Sequence, residues 1–199
     1  MKKLKRGVRM CKKLKEIHGQ QPEAIWKKYG HSHSNLSPVN AEQILTAMNI
    51  RVMAVDFDSL EESIYVVGND AILGMAVSQG DDLIVLYKRG LEEITKNYVL
   101  AHELGHACLH MPVSSEFHVE MKTKADIYSP PVMRRGLFSK GKSLIVRERE
   151  ADVFSAKLLL PSSHIIGALK AEDMPTLSVL SEKFNVPREI VSLRISLGF

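Results

Sequence analysis

The chain has 199 residues, 45% of them hydrophobic and 25% charged. That is an ordinary globular composition, enough for one well-buried domain with room for a small appendage. The formal net charge is +4, but eight of the 27 basic residues fall within positions 2–15, where there is no acid, and the other 19 face 23 acids. This excludes a strongly basic domain surface, and no stretch approaches the roughly 18 apolar residues of a membrane span.

The basic start (Lys2, Lys3, Lys5, Arg6, Arg9, Lys12, Lys13, Lys15) predicts an N-terminal helical arm over residues 1–37, with helices near 3–17 and 22–29. Its charge suits phosphate or an acidic partner, although a solvated helix face is the simpler account. No sustained apolar run follows in residues 7–21, so no signal peptide is expected. Cys11 and Cys108 have no metal-ligand spacing and imply no disulfide framework, so the expected compartment is the cytoplasm. Ile25 and Trp26 are predicted packing residues, and His31 and His33 stand in a polar loop that ends at Pro38.

The expected core runs over residues 38–161. A helix at 39–48 carries Ala41, Ile44, Leu45 and Met48 at helical spacing. Four short segments rich in Val, Ile and Tyr follow at 50–55, 63–67, 71–77 and 83–87, separated by turn residues such as Gln79-Gly80-Asp81-Asp82. They predict a small, mainly antiparallel sheet, and hence an α+β fold. A helix from about Leu91 to Leu109 is stopped by Pro112. Residues 112–143 have little periodicity and contain Pro130-Pro131, Gly136 and Gly141. They are expected to form a mobile cover in which Met121, Tyr128, Val132, Leu137 and Phe138 cap an apolar groove. A second strong helix spans 144–160 and ends at Pro161. Shorter helices at 162–171 and 176–184, and a last one reaching Leu197, make up a C-terminal region, 162–199, expected to pack on the core.

The chemistry centres on His102-Glu103-Leu104-Gly105-His106. Four residues apart on a helix, His102 and His106 share a face and both imidazoles can reach one zinc ion. Glu103 is turned about 100° away from His102, beside the metal, where a carboxylate can take a proton from activated water and return it to a leaving amine. An amphipathic helix with two surface histidines would produce the same letters. Val99, Leu100, Ala101, Leu104 and Cys108 argue instead for a buried helix, in which two histidines and a glutamate would be costly without a metal.

A catalytic zinc needs a third protein ligand. His110 lies four residues past His106, but three collinear helical side chains wrap one ion poorly. Leu109 and Pro112 stand where the third-histidine class has Gly and His. The 144–160 helix offers Glu148 as ligand and Asp152, four residues on, to orient His102 or His106, with Glu150 as the fallback ligand. A charged surface at Arg147-Glu148-Arg149-Glu150 is the competing reading. Tyr128 and His118 are candidates to stabilise an oxyanion.

His102–His106, the run Glu148-Arg149-Glu150-Ala151-Asp152-Val153-Phe154-Ser155-Ala156-Lys157-Leu158-Leu159-Leu160-Pro161, and the ending Leu180–Pro187 with Leu193–Gly198 resemble the ImmA/IrrE family of metallopeptidases, in matching order over roughly 38–199. Ser155 and Leu160 depart from the family's Ala and Met, and the connection from His106 to Glu148 is long. The resemblance implies a zincin-like fold, one zinc ion, and cleavage of a helix-turn-helix transcriptional repressor that frees prophage, mobile-element or stress genes. Two other classes compete with this. One is a zinc-bearing derepressor that binds without cutting. The other is a DNA-binding regulator whose residues 176–197 form a helix-turn-helix reading DNA through Arg188, Ser192 and Arg194.

Overall fold

The computed structural model describes residues 12–30, 37–57, 72–79, 81–112, 118–123, 141–171 and 175–198, with 118–123 and 141–144 as backbone. In chain order they form α1 (Lys12–Ile17), α2 (Pro22–Tyr29), α3 (Ala41–Ala47), β1 (Arg51–Val55), β2 (Ile72–Gln79), β3 (Asp82–Lys88), α4 (Glu93–Leu109) and β4 (His118–Thr123). The second half adds α5 (Gly141–Leu159), α6 (Ser162–Ala171), α7 (Leu177–Phe184) and α8 (Arg188–Ser196). This is a mixed α+β architecture. Among the described residues no helix is long and apolar enough to cross a membrane.

The sheet has the order β1-β3-β2-β4. β2 runs antiparallel to both β3 and β4, as expected, but β1 pairs parallel to β3, with Val52 opposite Val85 and Ala54 opposite Tyr87. The sheet is thus mainly antiparallel, and the parallel β1–β3 pair is the part the sequence did not specify. Alternation of apolar residues says which face a side chain takes but carries no strand direction, so nothing in the local pattern distinguishes the two pairings. The strand expected at 63–67 lies outside the described residues.

The cover expected over 112–143 needs a correction. Residues 118–123, including Met121, form edge strand β4, and α5 begins at Gly141, three residues before the expected start. The sequence HVEMKT alternates polar and apolar residues, but over only six positions in a segment with little other periodicity, and it pairs with β2. The remainder of that segment, 113–117 and 124–140, lies outside the described residues.

Helix α4 is the centre of the molecule. Every residue from Asn97 to Cys108 is buried, as befits a helix enclosed on all sides. It packs on β2, β3 and β4 on one flank, and on α1, α3 and α5 elsewhere. Val99, Leu100 and Leu104 are fully buried there, each contributing about 1.5–3 kcal/mol and offsetting the polar groups the helix also buries. Leu14, Ile17, Ile25, Leu180, Phe184 and Val191 join the same core, so α1, α2, α7 and α8 share it with α4. A smaller cluster of Phe57, Ile72 and Met75 covers the opposite face of the sheet.

Two residues fix how α4 sits. Gly105 faces α5, where a Cβ would lie 3.2 Å from the Ala151 Cα and from Phe154, so the missing side chain lets the two helices approach closely. The buried Asn97 amide donates to the carbonyls of Val39 and Asn185, and its oxygen accepts from the Ala41 N–H. One side chain thus ties α4 to the segment before α3 and to the left-handed cap that ends α7.

Candidate metal centre

His102 and His106 project from the α5-facing side of α4, one turn apart, and both are fully buried. Their Nε2 atoms lie 2.9 Å from each other. From α5, Glu148 brings one carboxylate oxygen to 3.4 Å from His102 Nε2 and the other to 3.1 Å from His106 Nε2. These three residues could hold a metal ion. With zinc–donor bonds of about 2.0–2.1 Å, neighbouring donors of a tetrahedron stand about 3.3 Å apart. The observed separations run to both oxygens of Glu148, and one donor atom from each residue lies within 4.8 Å of the others, so the three can close on one small cation. Charge points the same way, because buried carboxylates are costly without a cation to pair them.

Glu148 and Glu150 stand two residues apart on α5, about 200° round the helix, and meet different environments. The Glu148 side chain is 11% exposed and faces both histidines, whereas that of Glu150 is 54% exposed and lies 3.4 Å from His110. The His110 ring stands 5.4 Å from that of His106, but its Nε2 lies 3.1 Å from the Arg147 carbonyl. Neither Glu150 nor His110 therefore joins the histidine pair. Cys108 is buried on another side of α4, and burial pushes its thiol up from the ordinary 9.0 to about 12.

Asp152 stands where a supporting acid is expected: its Oδ1 lies 2.8 Å from His102 Nδ1, on the side of the ring away from Glu148. The same oxygen accepts a 2.6 Å hydrogen bond from the Tyr98 hydroxyl. Burial first, and then the Asp152 carboxylate, push the Tyr98 phenol well above its ordinary range, so it keeps its proton and donates.

Glu103 is fully buried on the sheet-facing flank of α4, against β2 at Gly74. A Cβ on Gly74 would come within 2.3 Å of Val99 Cγ1 and 3.2 Å of the Glu103 Oε1. The register between β2 and β4 shifts between Ile72 and Gly74, and such irregularities re-aim a strand beside functional residues.

Of the residues expected from the sequence, His102, His106 and Glu148 come together, Asp152 reaches His102, and Glu103 lies on the same helix facing the sheet. Tyr128, His31 and His33 lie outside the described residues. His118 is described as backbone, opening β4 opposite Ser78. Sequence reasoning missed Tyr98 and Gly74. The signal for Tyr98 was its position four residues before His102, on the face that also meets Asp152. For Gly74 no local signal existed. The chain was compared with protein-family models, curated proteins and solved structures, and none matches it.

Proposed function

We propose that the chain is a zinc-dependent endopeptidase of the ImmA/IrrE kind, with a zincin-like fold, that cleaves a helix-turn-helix transcriptional repressor. The observation that carries this reading is the convergence of two imidazole nitrogens from α4, the helix that also presents Glu103, with a carboxylate from α5, near enough to share one ion. Three protein donors leave a fourth position open, the pattern of catalytic rather than structural zinc. The class of substrate comes from the resemblance of the two active-site helices to that family.

In this reading His102, His106 and Glu148 hold the ion, which supplies a Lewis acid that makes water a competent nucleophile near neutral pH. Glu103 acts as the proton carrier. It takes a proton from the attacking water at its carboxylate and delivers it to the amine that leaves as the peptide C–N bond breaks. Gly74 supports that role by leaving β2 without a side chain where the Glu103 carboxylate lies. Asp152 holds the Nδ1–H of His102, which leaves the Nε2 lone pair directed at the ligand position. The DNA-reading alternative loses one of its residues, because Arg194 is buried and bonded within the protein.

The test is incubation of the zinc-loaded protein with the repressor encoded beside its gene. The wild type should yield two fragments and Glu103→Gln none, with metal content and fold unchanged. Derepression in cells by Glu103→Gln at wild-type strength would favour a derepressor that binds without cutting.

A further inference from the structure

We infer that Tyr98 is a positioning residue of the metal centre, acting through Asp152 on His102. This rests on reading His102, His106 and Glu148 as metal ligands. Tyr98 and His102 lie one turn apart on the same face of α4. Asp152, from α5, meets both with a single atom: its Oδ1 is 2.6 Å from the Tyr98 hydroxyl and 2.8 Å from His102 Nδ1. The two rings pack edge to face, with centroids 5.8 Å apart.

Tyr98 is among the largest fully buried side chains of the protein. A phenylalanine there would fill the same space without burying a hydroxyl, so packing alone does not account for the oxygen. What the hydroxyl adds is a second donor on the oxygen that faces His102. The Asp152 side chain is 20% exposed and has water at its edge as an alternative partner. A donor fixed in the core holds Oδ1 inward, towards Nδ1. That keeps the proton of His102 on Nδ1 and its lone pair on Nε2, the tautomer that binds metal. The relay runs from the core to the ion through three residues, and only its middle member touches solvent.

The test is a double-mutant cycle on zinc affinity, read by competition with a chromophoric chelator. Asp152→Asn should weaken zinc binding roughly 10–100-fold, as loss of a supporting carboxylate does. Tyr98→Phe should weaken it by a smaller factor, roughly three- to tenfold, while the metal-free protein keeps its thermal midpoint. In the Asp152→Asn background Tyr98→Phe should add nothing. As a second readout, nitrogen NMR of the metal-free wild type should show His102 protonated at Nδ1, and the Tyr98→Phe protein a mixture of tautomers. Wild-type zinc affinity in Tyr98→Phe would overturn the inference, and so would an undiminished loss on top of Asp152→Asn. A wild-type protein that binds no zinc would overturn the metal reading itself, a result distinct from both.

Discussion

Two of the places where the described residues bury groups able to carry charge do so in opposite ways. Between α4 and α5, the lone pairs of His102, His106 and Glu148 converge on one point from three directions. At the end of α8, the buried Arg194 guanidinium turns outward from itself. It donates to the Leu160 carbonyl, the Ser162 hydroxyl and the Gly198 carbonyl, joining α8 to the α5–α6 corner and to the end of the chain. Converging acceptors ask for a cation, whereas donors spent on backbone carbonyls are a strut. Burial alone therefore says little about function, and the direction in which the hydrogen-bonding valences point says a good deal.

The contrast breaks most visibly at the ligands. His102→Ala and Glu148→Ala should each lower zinc affinity by more than the roughly 10–100-fold that a supporting residue costs, whereas Glu150→Ala should leave it unchanged, by the same competition assay. Full zinc retention in Glu148→Ala with loss in Glu150→Ala would reverse the assignment. Next in size, Glu103→Gln should cut the rate of repressor cleavage by about 10²–10⁴-fold with zinc retained, as expected when a positioned proton carrier is removed.

On the strut side, Arg194→Met should lower stability by about 1–3 kcal/mol in denaturant unfolding, because it strips the donor from the buried Leu160 carbonyl. Zinc affinity of the folded fraction should not change. If Arg194→Met instead left stability intact and abolished binding to DNA, the residue would be a reader after all. Gly74→Ala lies between the two kinds of site. Its Cβ would displace Val99 and press on Glu103, so it should slow cleavage about tenfold or more while costing about 1–3 kcal/mol.

The smallest effect concerns Cys108, which faces neither side of the contrast. Its folded-state pKa is raised by burial, so the stability it contributes is intact below about pH 9 and declines as pH rises towards 12. The slope from this group should reach at most about 1.4 kcal/mol per pH unit and disappear in Cys108→Ala, as read from denaturant midpoints across that range.

Much of this was legible in the sequence because it rests on periodicity. The four-residue spacings of His102 with His106 and of Glu148 with Asp152 put each pair on one helix face, and Pro112 and Pro161 mark where those helices stop. The residues that went unseen take their meaning from neighbours distant in sequence. Gly74 matters because β2 crosses α4 at Glu103. Tyr98 matters because α5 brings Asp152 to it, and Asn97 because two remote backbones meet its amide. Arg194 looked like a surface reader because the pattern of α8 is polar there, yet the corner after α5 supplies carbonyls that draw it inward. Strand β4 escaped because its alternation lasts only six residues, too short a run to stand out in an otherwise aperiodic segment.

The central claim is that His102, His106 and Glu148 together hold one zinc ion with a position left open. Zinc K-edge X-ray absorption on the zinc-loaded wild-type protein tests it most directly. The account predicts four nitrogen or oxygen donors at about 2.0–2.1 Å, with the outer-shell scattering of two imidazoles and no sulfur. A sulfur donor at about 2.3 Å, or the scattering of fewer than two imidazoles, would contradict it.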